Sequence, residues 1–180
     1  MSKLAPGDPA LNFTLPATNG QTYTLWEALT QAKAVAVVFT CNHCPYARAW
    51  EDRINAIARD YAPRGVRLLA INSNDPSISP GDSWENMIKR AREKQFVFPY
   101  LYDESQDVAR IYGAQRTPEF FIFDAADKLR YHGAPDDNYE DEHAVTHHYV
   151  REALDAILAD QEVPTSETPP VGCTIKWKKA

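Results

Sequence analysis

The apolar run Ala34-Val35-Ala36-Val37-Val38-Phe39, followed almost at once by Cys41-Asn42-His43-Cys44, constrains this chain more than any other stretch. Six consecutive apolar residues rich in valine read as a strand buried on both faces. From Cys44 onward Trp50, Ile54, Ile57, Ala58 and Tyr61 recur at helical spacing, and Pro63 and Gly65 end that helix. Two cysteines three apart where a strand hands over to a helix suit thiol–disulfide chemistry. The helix N-terminus offers partial positive charge and free N–H groups to a thiolate. One helical turn brings the second sulfur within bridging distance. Cys41, read as nearer the helix start, is expected to be the more exposed nucleophile with the lower pKa, and Cys44 the resolving thiol. His43 between them is expected to stabilise the Cys41 thiolate, and so the reduced form. Pro45 fits a first helical turn, where a missing N–H costs little.

The rest of the chain supplies a framework for that turn. Residues 66–71 read as a second buried strand, with the loop Asn72-Ser73-Asn74-Asp75-Pro76 at its C-terminal end. Asp82 and Glu85 have capping-box spacing ahead of a helix striped by Trp84, Met87, Ile88 and Ala91. Residues 105–112 form a short helix closed by Gly113, residues 120–123 a third buried strand, and residues 128–132 its antiparallel neighbour, with His132 on the surface. Val150, Leu154, Ile157 and Leu158 mark a last helix, on which His143 and His147 are also placed.

Upstream, residues 10–15 alternate apolar and polar, Asn19-Gly20 is a turn signal, and residues 21–25 return, giving a hairpin within residues 6–25. Residues 1–160 therefore make one α/β domain, a central mixed sheet flanked by helices. Residues 161–180, with Pro164, Pro169, Pro170 and polar spacers, read as an extended arm carrying Cys173. Ile175 and Trp177 near its end imply that it docks, since apolar side chains at a free terminus are unusual. In such sheets sites gather at the carboxyl ends of the strands, so Cys41, the 72–75 loop and the turn before Phe120 should meet. Asn72, Asn74 and Asp75 there either line the site or only serve the turn.

Arg116-Thr117-Pro118-Glu119 stands in that turn. Downstream of a CxxC pair, Thr-Pro ahead of a buried strand points to a cis Thr117–Pro118 bond packed against the sulfurs, with the Thr117 backbone left to pair with an extended substrate. With these residues in view, the chain resembles the thioredoxin-fold superfamily, and within it the peroxiredoxin-like (AhpC/TSA-type) and TlpA-like thiol oxidoreductases. The opening Pro6-Gly7-Asp8-Pro9-Ala10-Leu11-Asn12-Phe13 and the later Asp103-Glu104-Ser105-Gln106-Asp107-Val108-Ala109, Tyr112-Gly113 and Thr117-Pro118 carry the resemblance, over about residues 6–160. It implies a thioredoxin-like fold and a redox-active pair, Cys41 and Cys44.

The chain also departs from these patterns. Peroxiredoxins place Pro and Thr ahead of the reactive cysteine as PxxxTxxC; counted from Cys44 those positions hold Val37 and Cys41, and counted from Cys41 they hold Ala34 and Val38. Thioredoxins carry an acidic residue in the strand before the CxxC, and here there is none; Glu119 is the carboxylate expected to stand in for it. Thr40 occupies the place of the usual Trp. Cys173 is either a third redox thiol, its pKa lowered by Lys176, Lys178 and Lys179, or a tail cysteine with no redox role.

The expected activity is thiol–disulfide oxidoreduction through Cys41, Cys44, His43, Thr117, Pro118 and Glu119, acting on a disulfide-bearing protein or small molecule, with an upstream thiol reductase and no cofactor. A peroxiredoxin-like antioxidant using Cys41 is the enzymatic alternative. A soft-metal module is the other, although CxxC is half of a zinc site and needs two more ligands. The net charge of −6 disfavours a nucleic-acid partner. Three cysteines are too few for a disulfide-stapled secreted domain, and the start of the chain shows no apolar signal core or membrane span, so cytoplasmic residence is expected. The oligomeric state is left open.

Overall fold

A computed structural model describes residues 4–179. The first three residues of the segment read as lacking a signal core lie outside the described residues. Strand β3 (Ala34–Phe39) is central, and every one of its residues is buried. It pairs in parallel with β4 (Val66–Asn72), which pairs in parallel with the short edge strand β5 (Tyr100–Tyr102). On its other side β3 pairs antiparallel with β7 (Glu119–Asp124), and β7 with β8 (Leu129–Gly133). The order β5-β4-β3-β7-β8, with helices on both faces, is the thioredoxin-like mixed sheet that the sequence implied.

Alternation along the strands divides the core in two. Val35, Val37 and Phe39 share one face with Leu69, Ile71, Phe121 and Phe123. They are covered by α1 (Leu25–Gln31), α4 (Asp107–Tyr112) and the hairpin β1 (Thr14–Pro16) and β2 (Thr22–Thr24). Ala34, Ala36 and Val38 share the other face with Phe120 and Ile122, under α2 (Pro45–Tyr61) and α5 (Tyr149–Leu158). The small side chains Ala34 and Ala36 let Trp50, Ile54 and Ile57 of α2 lie close to the sheet. Fully burying such side chains stabilises by roughly 1.5–3 kcal/mol each.

Three expectations need correction. Helix α3 (Trp84–Glu93) is capped by Ser83, whose Oγ accepts from the Asn86 N–H, rather than by Asp82. His143 and His147 precede α5 instead of lying on it. His132 is fully buried, not on the surface. The sequence reading also left α1 and β5 unassigned; each is short, and β5 has only three residues to show a period.

The C-terminal arm is extended but fastened along its length. Its residues 166–168 lie beside β8, through hydrogen bonds from His132 N–H to Ser166 O and from Thr168 N–H to His132 O. The two-residue strand β9 (Cys173–Thr174) then pairs antiparallel with β6 (Arg116–Thr117). Ile175 is buried in the β3 core, and Trp177 packs against it beneath the Arg110 guanidinium. Among the described residues no helix is long and apolar enough to cross a membrane.

Candidate active site

Cys41, Cys44 and Cys173 meet where β3 ends, α2 begins and the arm crosses β6. The sulfurs form one small apolar cluster with Ala47, bordered by Tyr46. Cys41 and Cys44 are each 3% exposed, while Cys173 is partly exposed. All three are free thiols. The Thr117–Pro118 peptide is cis, as expected, and brings Thr117 onto the sulfurs. Its Oγ1 lies 3.4 Å from Cys41 Sγ, and its carbonyl oxygen 3.7 Å from Cys44 Sγ.

The order of the two thiols differs from the sequence expectation. Helix α2 opens at Pro45, so Cys44, not Cys41, is its N-cap residue. Cys41 lies three residues before that cap, and it is no more exposed than Cys44. The Cys44 thiol faces the Thr117 carbonyl and the Thr117 hydroxyl faces Cys41 Sγ, so Thr117 touches both sulfurs of the pair. Sharing of a proton with Cys41, helped by Cys173 and the Ala47 backbone and opposed by burial, draws Cys44 below the ordinary thiol range. Cys41 is pushed far up by that same bond to Cys44, by burial and by the charge of Asp82. Cys173 is raised to about 11, first by burial and then by its bond to Cys44, with Lys176 opposing.

Asp82 is the carboxylate of this site, and sequence reasoning assigned it to a helix cap. Fully buried, it accepts from the Asn42 N–H at 2.7 Å, Asn72 Nδ2 at 2.9 Å, Asn74 Nδ2 at 3.0 Å and Ser79 Oγ at 2.6 Å. Burial pushes its pKa up, but these bonds outweigh burial and hold it below the usual carboxylate value. His43 Nδ1 lies 3.0 Å from Asp82, on a half-exposed ring that also bonds Ser79. Asn72 and Asn74 thus serve the site, while Asp75 binds Ser77 and, through its N–H, the arm at Lys176. The signal that could have found Asp82 is the pair of amides at the end of β4 facing a polar loop, since they need a common acceptor.

Glu119 contacts no sulfur. Its Oε1 accepts from the N–H groups of Gln115 and Arg116, and its Oε2 lies 2.6 Å from His132 Nε2. His132 in turn reaches Glu167 of the arm. The carboxylate shapes the turn that presents Thr117. Among the described residues no buried side-chain nitrogen or oxygen lacks a partner, and no group of three or more His, Cys, Asp or Glu side chains is arranged to hold a metal ion.

The site is thus a cysteine pair at the β3–α2 turn of a thioredoxin-like sheet, beside a cis proline. The chain belongs to the AhpC/TSA family, whose model matches residues 6–132. It is 41% identical to an uncharacterized conserved protein from Geobacillus kaustophilus, with a TM-score of 0.92, covering 99% of this chain and 95% of that one. It is 25% identical over 113 residues to the thiol-disulfide oxidoreductase ResA of Halalkalibacterium halodurans; the match spans 62% of this chain and 58% of that protein. Peroxidoxin BcpB from Mycobacterium tuberculosis shares the fold, with a TM-score of 0.61 at 19% identity over 87% of this chain and 95% of that one.

Proposed function

We propose that this protein is a thiol–disulfide oxidoreductase that uses Cys41 and Cys44 as its redox pair. The observation that carries the reading is geometric: two free, buried thiols three residues apart at the start of α2, with Cys44 as its N-cap residue and the cis Thr117–Pro118 bond against them. The direction of the Cys44 pKa, below an ordinary thiol, favours Cys44 as the attacking sulfur. The thiolate is the attacking form in disulfide exchange. Cys44 attacks one sulfur of a substrate disulfide, the substrate S–S bond breaks, and the other substrate sulfur leaves as thiolate. Cys41 then gives up its proton and attacks Cys44 Sγ. This forms the Cys41–Cys44 disulfide and releases the second substrate thiol. The order inverts the one expected from the sequence, because the helix starts after Cys44. Thr117, whose hydroxyl reaches Cys41, positions that thiol. The similarity to ResA, a thiol-disulfide oxidoreductase, supports a disulfide-bearing protein as substrate; an upstream thiol reductase as the source of electrons is part of the proposal.

The test is reduction of a protein disulfide by wild type, Cys41→Ser and Cys44→Ser, with trapping of intermediates by acid and alkylation. Cys44→Ser should lose turnover, and Cys41→Ser should accumulate thiol adducts on Cys44 or turn over more slowly. Full turnover by Cys44→Ser refutes the assignment. The AhpC/TSA match favours a second reading, attack of the Cys44 thiolate on a peroxide to give a sulfenic acid that a neighbouring thiol condenses with, releasing water. Peroxide consumption faster than disulfide exchange would select it.

A further inference from the structure

Strand β9 occupies the backbone edge that an extended substrate was expected to use. Thr117 pairs with Cys173, and Arg116 with Thr174. The chain therefore seats its own cysteine beside the redox pair, in the position of a substrate strand adding to a free edge. The seat is built for close approach, because a Cβ on Gly172 would overlap the Thr117 carbonyl. The arm is held on both flanks. Upstream, Thr168 Oγ1 accepts from the Ala134 N–H and bonds the Tyr131 hydroxyl. Downstream, the Lys176 carbonyl accepts from Gln106 Nε2 at 2.9 Å, the Lys176 N–H donates to Asn74 Oδ1 at 2.8 Å, and the Lys178 N–H donates to Gln106 Oε1 at 2.9 Å.

We infer that Cys173 is a further catalytic residue, a resolving thiol that forms a disulfide with Cys44 as an alternative to Cys41, because β9 lays its sulfur against the buried pair. The inference rests on the reading of Cys44 as the attacking thiolate. An incoming disulfide reaches Cys44 by displacing β9, since the Cys44 side chain is otherwise covered. Both flanking anchors keep Cys173 tethered nearby, so its return to a mixed disulfide is an intramolecular step at high effective concentration. The Cys173 thiol loses its proton and attacks Cys44 Sγ. The Cys44–Cys173 bond forms, the bond from Cys44 to the substrate sulfur breaks, and the substrate leaves as a thiol carrying that proton. No further oxidant is needed, because the substrate disulfide has accepted both electrons. Of the two thiols flanking Cys44, Cys173 deprotonates more readily: it lies away from Asp82, is partly exposed and is opposed by Lys176, whereas Cys41 is buried beside a fixed carboxylate. The oxidised product also places one of its two sulfurs at the surface, where an external reductant thiol can attack.

The experiment uses the full-length reduced Cys41→Ser protein, in which the serine hydroxyl keeps a donor beside Cys44, and oxidised glutathione as the disulfide. The expected result is release of both glutathiones, no lasting adduct, and a Cys44–Cys173 peptide by mass spectrometry. The double variant Cys41→Ser/Cys173→Ser should release one glutathione and retain the other on Cys44. Adding Gly172→Ala to Cys41→Ser should slow bridge formation by driving the arm off Thr117, and an unchanged rate there would overturn the docked geometry as its cause. A stable glutathione adduct on Cys41→Ser, matching the double variant, overturns the inference while leaving the functional reading intact. An unreactive Cys41→Ser protein, when wild type forms a Cys41–Cys44 bridge, overturns both the inference and the reading of Cys44 as the attacking thiolate. A wild-type protein that does not consume oxidised glutathione overturns both.

Discussion

Between about pH 5 and pH 8, reduction of the Cys41–Cys44 disulfide should take up two electrons and only one proton. The two sulfurs titrate as a pair, Cys44 drawn down and Cys41 pushed up by the proton they share, so the pair should hold one proton throughout that window. For a two-electron couple each bound proton contributes about 30 mV per pH unit, so the midpoint potential should fall by about 30 mV per unit. A dithiol that binds both protons falls by about 59 mV per unit, and over roughly three units the two cases diverge by about 90 mV, or about 4 kcal/mol. The sign follows from linkage. A thiol with a depressed folded-state pKa contributes stability that is fully present above its ordinary value of about 8.5 and is lost as the pH falls toward about 4. The oxidised protein has no such group, so the folding stability of the reduced form should rise against that of the oxidised form across the window. At a fixed glutathione ratio, whose potential falls about 59 mV per unit, the reduced fraction should rise with pH. The assay is equilibration in glutathione buffers of fixed ratio at each pH, acid quenching, alkylation and mass analysis. It is best done on Cys173→Ser so that a single pair is counted. A slope near 59 mV at every pH would mean that the pair binds a second proton, and would refute the shared proton.

Replacing Asp82 by Asn removes the charge beside Cys41 and turns an amide N–H toward donors that now bond a carboxylate. Urea unfolding of the reduced protein should show a loss of about 2–4 kcal/mol, with the Cys41 thiolate, followed by ultraviolet absorbance, titrating at lower pH; unchanged stability would contradict the network described. Glu119→Gln should cost about 1–3 kcal/mol through its contact with buried His132, yet leave the exchange rate unaltered, because the carboxylate touches no sulfur; a slower rate at full stability would restore it as a proton-transfer group. Gly133 has φ +146° and a Cβ there would overlap the Thr168 side chain, so Gly133→Ala should cost on the order of 1–3 kcal/mol and expose residues 161–172 to proteolysis; resistance equal to wild type would count against the fastening of the arm. Phe121→Ala, in the middle of β7, should cost about 3–5 kcal/mol by chemical denaturation.

Much of the architecture was legible locally. The apolar run 34–39, the periodicity from Trp50 to Tyr61, Pro45 at the helix start and Gly113 in a left-handed cap each imply their element from short-range sterics and burial. The cysteine pair and Thr117-Pro118 were legible because their chemistry is local too. Which cysteine caps the helix was not, because it depends on a one-turn difference in where α2 begins. Asp82 was misread for a related reason. Its spacing to Glu85 satisfies a capping pattern, but its partners Asn42, Asn72 and Asn74 come from two other segments. His132, on a strand with polar neighbours, is buried only because the arm lies along β8.

The sequence alone therefore determined the class of fold and the presence of a redox pair, since strand burial, helix periodicity and turn chemistry act over a few residues. Tertiary structure decided which carboxylate faces the site and where the arm puts Cys173. Those outcomes are sums of hydrogen bonds and burial between distant segments, as from Asn74 to Lys176, 102 residues apart, and no local pattern records them.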